Sequence, residues 1–451
     1  MFQFVAAVLS FVLVLILIRR KVDLGFAMML AAFFLGVASG LGPARLVNTA
    51  VSSVLSLETL NLALVLVLIL LLENVMDRLG LLDRMVSSLG ALVMDRRIVM
   101  ASLPALIGFL PSAGGALFSA PMVESAAGPD GEHLVPEKKA FINYWYRHIW
   151  EYTLPMYPAV VLSSRITELP LGQIMRVHGL ITAVAILAGI PFAFVGLDRR
   201  PSGTGTVPSD TGKEAVEQVS LGEGLRGTAP TDTDKEGKEG TGLKRNADLK
   251  ENSRVRRLVL KQFLGGVLPI IAVISLVVVF NLEITLAAAI VLISLILTNL
   301  KSWEKIRGFH HKAWAPRLFT LVIGLMLFKG MIQAAGTAEA LPGFFSSLGI
   351  PAWILPFLIP FPVGLLTGYS PAVVAISFPL ILPFLPSGSG ALGRELLAYV
   401  AGFTGVLLSP THLCLLLTAE YFRADLAAVY RLLLLPVGIL MATAFLLSFT
   451  L

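Results

Sequence analysis

Leu110-Pro-Ser-Ala-Gly-Gly-Ala-Leu-Phe-Ser-Ala-Pro121 is the stretch on which the fold turns. It sits inside the apolar segment 98–123, which is long enough to cross a bilayer but is interrupted in its middle. Proline removes a helix donor, and paired glycines permit left-handed or closely approaching backbone. Irregular backbone at membrane depth is tolerated only inside protein or against a watery cavity. The segment therefore reads as a re-entrant helical hairpin, or as an ordinary kinked helix packed through small residues. The same interruption at Thr367-Gly-Tyr-Ser-Pro371, inside the apolar segment 352–385, favours the hairpin.

Outward from these two segments the chain is greasy. Of 451 residues, 56% are hydrophobic and 14% charged, whereas soluble domains are about 25% charged. The charge is also concentrated, with 12 Lys/Arg and 11 Asp/Glu between Asp198 and Arg257. A spanning helix needs about 20 mainly apolar residues. Spans are expected at 2–18, 24–41, 60–76, 139–165 and 175–196, then at 258–281, 284–300, 317–334, 395–421 and 430–450. The expected fold class is an all-α polytopic membrane protein with about ten transmembrane helices and two re-entrant hairpins. The formal charge of +6 comes from basic residues scattered over short loops, so nucleic-acid binding is not expected and the lipid bilayer is the partner. Cys414 is the single cysteine, so disulfides within the chain and cysteine-based metal sites are not expected. Phe2–Ile18 lacks a basic flank and a small-residue cleavage site, and is expected to be a retained helix.

Orientation follows from the loops. Arg19, Arg20 and Lys21, then Arg78, Arg84, Arg96 and Arg97, then Lys138 and Lys139, and finally Lys301, Lys305, Arg307, Lys312 and Arg317 fall on one side if the N-terminus is outside. The loops 42–59, 166–174, 335–351 and 386–394 carry few basic residues. Both termini are then outside, and the localisation is the inner, cytoplasmic membrane of the cell. Segment 98–123 enters and leaves from the cytoplasm, and 352–385 from outside. Ser87-Ser-Leu-Gly90 recurs as Ser346-Ser-Leu-Gly349, and Ser112, Ser119 and Pro121 recur as Ser370, Ser377 and Pro379, an offset of 258. Pro155 pairs with Pro410 at an offset of 255. The expected organisation is therefore two inverted-topology repeats. Residues 1–197 carry hairpin 98–123 and broken helix 139–165, and residues 258–451 carry hairpin 352–385 and broken helix 395–421. Residues 198–257, rich in Gly, Thr, Ser, Lys and Glu, form a disordered cytoplasmic linker between them.

Chemistry is expected at the interruptions. A helix broken at Ser112, Gly114 and Gly115, or at Thr367 and Ser370, presents main-chain N–H groups to an anion. The second candidate group is the pair of proline breaks, Thr153-Leu-Pro155-Met-Tyr157 and Ser409-Pro-Thr411-His412. Each proline frees a carbonyl one turn back, and Tyr157, Thr411 and His412 are polar partners for it or ligands in their own right. The third is Tyr144-Trp-Tyr-Arg147-His148-Ile-Trp-Glu151. Arg147 and Glu151 share a helix face. They are either an interfacial pair beside an aromatic belt of Trp145 and Trp150, or a buried functional pair. Glu73 and Asn74 occupy the third span, and Lys329 the eighth, where it can snorkel. There is no HExxH and no phosphate-binding loop, so no catalysis is expected. One enzymatic alternative is an intramembrane serine protease using Ser370 and His412.

The layout resembles the ion transporter superfamily, which includes gluconate, citrate and dicarboxylate carriers. Leu110-Pro-Ser-Ala-Gly-Gly-Ala-Leu-Phe-Ser-Ala-Pro121 and Leu408-Ser-Pro-Thr-His-Leu-Cys414 resemble signatures of an integral-membrane family, domain of unknown function 401. The hairpins lack a Ser-Asn-Thr motif, because Ala113 follows Ser112 and Pro371 follows Ser370. The superfamily resemblance implies a secondary transporter that works by an elevator motion. The expected substrate is a small organic anion, a carboxylate, held by Ser112, Gly114, Gly115, Thr367, Ser370, Tyr157, Thr411 and His412. Glu151, Arg147, His148, Glu73 and Asn74 are the coupling or charge candidates, Na+ or H+ is the coupling ion, and no metal or other cofactor is expected. A homodimer is the oligomer considered. A cation/proton antiporter is the alternative within transport, and a passive channel the next.

Overall fold

The computed structural model describes residues 2–93, 95–109, 115–127, 134–195, 241–307, 316–386, 388 and 390–451. These residues form helices and their connections, with no β-strand among them. Four helices are long and apolar enough to cross a membrane: Leu57–Arg78, Leu171–Phe194, Arg256–Val278 and Leu426–Thr450. Two bent pairs raise the number to six, Ile284–Thr298 with Leu300–Ile306 (79°) and Leu341–Ser347 with Ala352–Thr367 (113°). Shorter apolar helices include Val5–Arg19, Leu24–Ala38, Leu318–Ala334, Ser370–Phe384 and Leu413–Phe422. Their outer faces carry Phe33, Leu187, Leu268, Leu297 and Leu446, all more than half exposed. An apolar surface of this extent belongs against lipid. The chain is an all-helical, multi-pass membrane protein.

The helices sort into two groups by what they pack against. The inner group contains Arg96–Ile107, Gly115–Ala127, Pro136–His148, Pro158–Thr167 and Leu171–Phe194, with Pro360–Thr367, Ser370–Ile381, Gly390–Leu407, Leu413–Phe422 and Leu426–Thr450. The flanking group contains Phe2–Arg19, Leu24–Ala38, Pro43–Val54, Leu57–Arg78 and Leu81–Leu92, with Thr241–Val278, Ile284–Thr298 and Pro316–Ala334. Its tightest crossing joins Leu24–Ala38 to Pro316–Ala334. A Cβ at Gly25 would strike the Thr320 main chain, and one at Gly324 the Gly25 carbonyl. Without a hydrophobic driving force inside lipid, such close backbone approach is what holds membrane helices together.

Three short helices lie where the sequence suggested connections: Pro43–Val54, Leu81–Leu92 and Thr337–Ser347. Each is too short to span and is punctuated by Ser, Gly or Pro, so its one-sided apolar pattern is easily read as loop. The first starts on Pro43 after Gly42, and the other two start after left-handed glycines, Gly80 and Gly336, each with φ 64°. A further difference concerns the stretch expected to be a disordered linker. The main chain is helical from Thr241, in one piece with the span that ends at Val278, and 196–240 lie outside the described residues. Residues 241–257 are rich in Lys, Arg, Leu and Ala, which are good helix formers, so the helix extends from its apolar part.

Polar contacts at and near the helix ends fall into two sets. Arg78 Nη1 donates to the Lys305 carbonyl (3.2 Å), Asp425 N to Glu137 Oε1 (3.0 Å), and Lys138 to the Val195 carbonyl. In the other set, Lys329 pairs with Glu58 (2.8 Å), Arg165 with Glu283, and Thr285 donates to Asn61 (2.8 Å).

Candidate functional site

Both proline breaks form, and each interrupts a buried helix. Pro136–His148 tightens into a 3-10 turn, Ile149–Tyr152, loses helical form, and resumes as Pro158–Thr167. Gly390–Leu407 stops and the chain resumes as Leu413–Phe422. Pro155 has no N–H to give the Glu151 carbonyl, and Pro410 none for Val406. Orphaned carbonyls at this depth require donors. Tyr399 Oη donates to the Glu151 carbonyl (2.7 Å), and His178 Nδ1 lies 2.7 Å from the next carbonyl, Tyr152. At the other break, Ser409 N donates to the Val406 carbonyl (3.0 Å) with His412 Nδ1 3.1 Å from the same oxygen, and Tyr144 Oη donates to the Leu407 carbonyl at 2.9 Å. Tyr144 belongs to the first broken helix and Tyr399 to the second, so each serves the break in the other. Their positions differ by 255, the spacing of Pro155 and Pro410.

Hairpin-like segments close on these breaks. Pro360–Thr367 ends at Gly368, in the left-handed region at φ 61°, and Ser370–Ile381 follows. A Cβ on Gly368 would come within 2.8 Å of Thr411 Oγ1, 2.9 Å of His412 N and 3.0 Å of Ser409 Oγ, so only glycine fits. Ser409 Oγ donates to the Leu365 carbonyl at 2.8 Å. Gly364 lies against the Gly402 carbonyl and Gly405 against the Phe361 carbonyl. In the first half, Gly108 lies against the Arg147 carbonyl. Asn143 then ties three elements together. It accepts from Ser119 Oγ (2.6 Å) and donates to the Ala116 carbonyl (2.8 Å) and to Thr418 Oγ1 (3.1 Å).

Between the breaks lies a buried polar centre. Arg147 and His148 are each 1% exposed, and Glu151 is 9% exposed. Arg147 Nη1 donates to Tyr157 Oη (2.9 Å), which donates onward to the Gly108 carbonyl (2.6 Å). The same Nη1 lies 3.8 Å from Glu151 Oε1. Ser370 Oγ, from the other half, donates to Glu151 Oε2 at 3.2 Å. His148 Nδ1 lies 2.6 Å from the Tyr144 carbonyl, which can only accept, so Nδ1 carries the proton. In the neutral ring His148 Nε2 is then an acceptor; it has no hydrogen-bond partner among the described residues, and Glu151 Oε1 lies 3.9 Å away. The His148 and His412 rings stand 4.9 Å apart. His148, His412 and Cys414 bring ligand atoms within 4.8 Å of one another. That donor set suits zinc or copper(I), but the Arg147 guanidinium beside it opposes a cation, and no metal is assigned.

Six expected residues thus meet in one place: Tyr157, Ser370, His412, Arg147, His148 and Glu151. Thr411 sits at the tip of the second hairpin segment. Thr367 Oγ1 instead donates back to the Val363 carbonyl of its own helix (2.8 Å). Gly115 begins the helix Gly115–Ala127. Ser112 and Gly114 lie outside the described residues. Asn74 accepts from Arg78 Nε (2.9 Å), away from the centre, whereas Glu73 is within electrostatic range of Arg147. The two tryptophans are not an interfacial belt. Trp145 is buried and donates to the Ala185 carbonyl (2.9 Å), and half-buried Trp150 donates to the Ala105 carbonyl (2.9 Å). Lys329 does not snorkel; it is buried on Glu58. Ser370 and His412 have different partners, Glu151 for one and Tyr144 and Val406 for the other.

Sequence reasoning passed over Tyr144 and Tyr399 as donors, and over His178, Glu395, Ser163 and Asn143 entirely. Two signals were present: the 255-residue spacing shared by the tyrosines and the prolines, and ionisable residues inside apolar stretches.

Compared with known proteins, residues 3–202 and 241–450 match a family described as "Protein of unknown function (DUF401)". No curated protein matches the chain. The match takes in both breaks and both hairpin segments and omits only the polar stretch between the halves and the extreme ends, so the chain belongs to the DUF401 family.

Proposed function

We propose that this protein is a secondary active transporter of a small organic anion, a carboxylate, resembling carriers of the ion transporter superfamily. The observation that carries this reading is Arg147, a buried guanidinium at the meeting point of two broken helices and a hairpin. A charge inside the membrane is costly to keep and defaults to function. The substrate carboxylate would exchange with Glu151 as the partner of Arg147. Ser370 Oγ and the main-chain N–H groups at the start of Ser370–Ile381 would add donors, and the buried acceptor His148 Nε2 would take a substrate hydroxyl.

In this proposal the chain has about ten spans and two re-entrant hairpins in two inverted repeats, 1–197 and 258–451. The inner group of helices is the moving body, and the flanking group is the scaffold in an elevator motion. The two separate sets of contacts support this topology. One joins residues at or near connections expected in the cytoplasm, and the other joins residues near the helix ends expected outside. The localisation would be the inner membrane.

The test is uptake into proteoliposomes, with thermal-shift screening of the purified protein against small organic acids, with and without sodium. The reading requires at least one acid that both stabilises the protein and is taken up. Cation-driven proton flux with no organic anion present, and no acid bound in a broad screen, would establish the antiporter instead.

A further inference from the structure

Glu395 and His178 are both fully buried, and neither belongs to the polar centre around Arg147. Glu395 lies on the second broken helix, Gly390–Leu407, and His178 on Leu171–Phe194. His178 Nε2 stands 3.0 Å from Glu395 Oε2. Ser163 Oγ, on Pro158–Thr167, donates to Glu395 Oε1. His178 Nδ1 lies 2.7 Å from the Tyr152 carbonyl.

These contacts fix the proton count. A carbonyl only accepts, so His178 Nδ1 carries a hydrogen. The Nε2–Oε2 contact then needs one more proton between a lone pair and a carboxyl oxygen. Imidazole with carboxylic acid and imidazolium with carboxylate both contain it, and both are neutral overall. Removing that proton would set a carboxylate against a lone pair in a low-dielectric interior, and adding another would leave an uncompensated cation. In the closed arrangement the pair therefore holds one exchangeable proton out of reach of water.

The pair is also wired to the anion site. The carbonyls of Glu151 and Tyr152 are the ones exposed by the first break. Tyr399, one helical turn after Glu395, donates to the first (2.7 Å), and His178 is bound to the second. The Tyr399 and His178 rings are 4.8 Å apart. Any movement of the break that opens the anion site displaces the Tyr152 carbonyl, the acceptor that orients His178. The other titratable neighbours are Tyr152 and Tyr399, with Glu151 beyond Tyr399. Charged residues on the adjoining elements are turned away: Arg165 to Glu283, Arg394 to the Trp353 carbonyl, and Arg176, Arg431 and Lys261 to the surface.

We propose that the His178–Glu395 pair is the proton-carrying site of this protein, binding and releasing one H+ as the first break closes and opens. The coupling role rests on the transporter reading above; the proton site itself does not. The experiment uses the full chain, purified and reconstituted. Infrared difference spectra after a pH jump should show a carboxylic C=O band or a carboxylate band that Glu395→Gln removes. With the substrate acid found by screening, Glu395→Gln should lower pH-gradient-driven uptake at least tenfold. Counterflow, which moves no net proton, should stay within about twofold of the parent. Ser163→Ala, a milder change, should shift the pH midpoint of the infrared band and of uptake together. Gradient-driven uptake in folded Glu395→Gln with an unchanged pH profile overturns the proposal, as does an infrared difference spectrum unaffected by either variant. If no acid is transported but the Glu395 band is present, the transporter reading fails while the proton site stands.

Discussion

The two breaks face the same main-chain problem with opposite side chains. Counting by the Pro155–Pro410 spacing, Arg147, His148 and Glu151 of the first break correspond to Gly402, Phe403 and Val406 of the second. The first break is charged and packs its aromatic and ionisable groups to full burial. The second has no charge at these positions and adds close approaches, with Gly364 on the Gly402 carbonyl and Gly405 on the Phe361 carbonyl, where the first has Gly108 on the Arg147 carbonyl. What they share is the tyrosine, 144 or 399, that donates to an exposed carbonyl of the other. The lesson is a division of labour. The shared spacing supplies a tyrosine hydroxyl to a main-chain carbonyl at both breaks, while side-chain charge is concentrated in the first.

The sharpest way to break this comparison is Arg147→Gln. It leaves Glu151 as a buried carboxylate without its cation, a loss of about 3–5 kcal/mol. Anion binding should fall more than about a hundredfold, since each 1.4 kcal/mol is about tenfold, and the melting temperature should drop. Adding Glu151→Gln should restore stability but not binding. If the single variant binds acids as the parent does in isothermal titration, the first break is not where charge acts.

A comparable loss of stability, with less effect on ligand specificity, is expected at the second break. Gly364→Ala puts a methyl group into the Gly402 main chain, and overpacking of this kind costs about 1–3 kcal/mol. Gly343→Ala is the control, because nothing lies within 4 Å of its Cβ position. Thermal unfolding in detergent should separate the two variants by several degrees. Equal melting temperatures would show that the glycines are not needed for close approach.

Tyr399→Phe and Tyr144→Phe test the shared element. Each removes one hydroxyl and leaves one buried carbonyl unmet, about 2 kcal/mol within the usual range of 1–3. The two should destabilise to a similar extent, because the cross-donation is reciprocal. A large effect in one and none in the other would show that the breaks are held by different means.

How much of this was legible follows from the kind of signal involved. Pro155 and Pro410 marked both breaks, because proline acts on its own backbone. The donors to the exposed carbonyls were sought among neighbours such as Thr153, Thr411 and His412; His412 does reach the Val406 carbonyl of its own break, but the tyrosine donors come from the opposite half. No local pattern reports contacts between residues 248 and 263 apart. Even so, Tyr144 and Tyr399 repeat at the proline spacing, and that regularity was available. His178 and Glu395 were legible as ionisable residues within apolar stretches, but their pairing was not, since it depends on how three helices cross. Arg147 was undecided between interface and interior on position alone, and its burial is a tertiary result.

The smallest predicted effect concerns a side-chain hydrogen bond that joins the charged break to the opposite hairpin segment. Ser370 Oγ donates to Glu151 Oε2 at 3.2 Å, a length at the weak end for a hydroxyl donor. Ser370→Ala removes that donor and leaves Glu151 with Arg147 nearby, so the carboxylate is not stranded. The expected loss is about 0.5–1.5 kcal/mol, or roughly 2- to 10-fold in affinity for the acid, with folding preserved. Ser370→Thr keeps the hydroxyl and should recover most of the loss. If the division of labour is correct, Ser370→Ala weakens binding far less than Arg147→Gln. An equal or larger loss in side-by-side titrations would move the dominant contact from the charged break to the hairpin tip, and the comparison between the two halves would have to be redrawn around main-chain and hydroxyl donors.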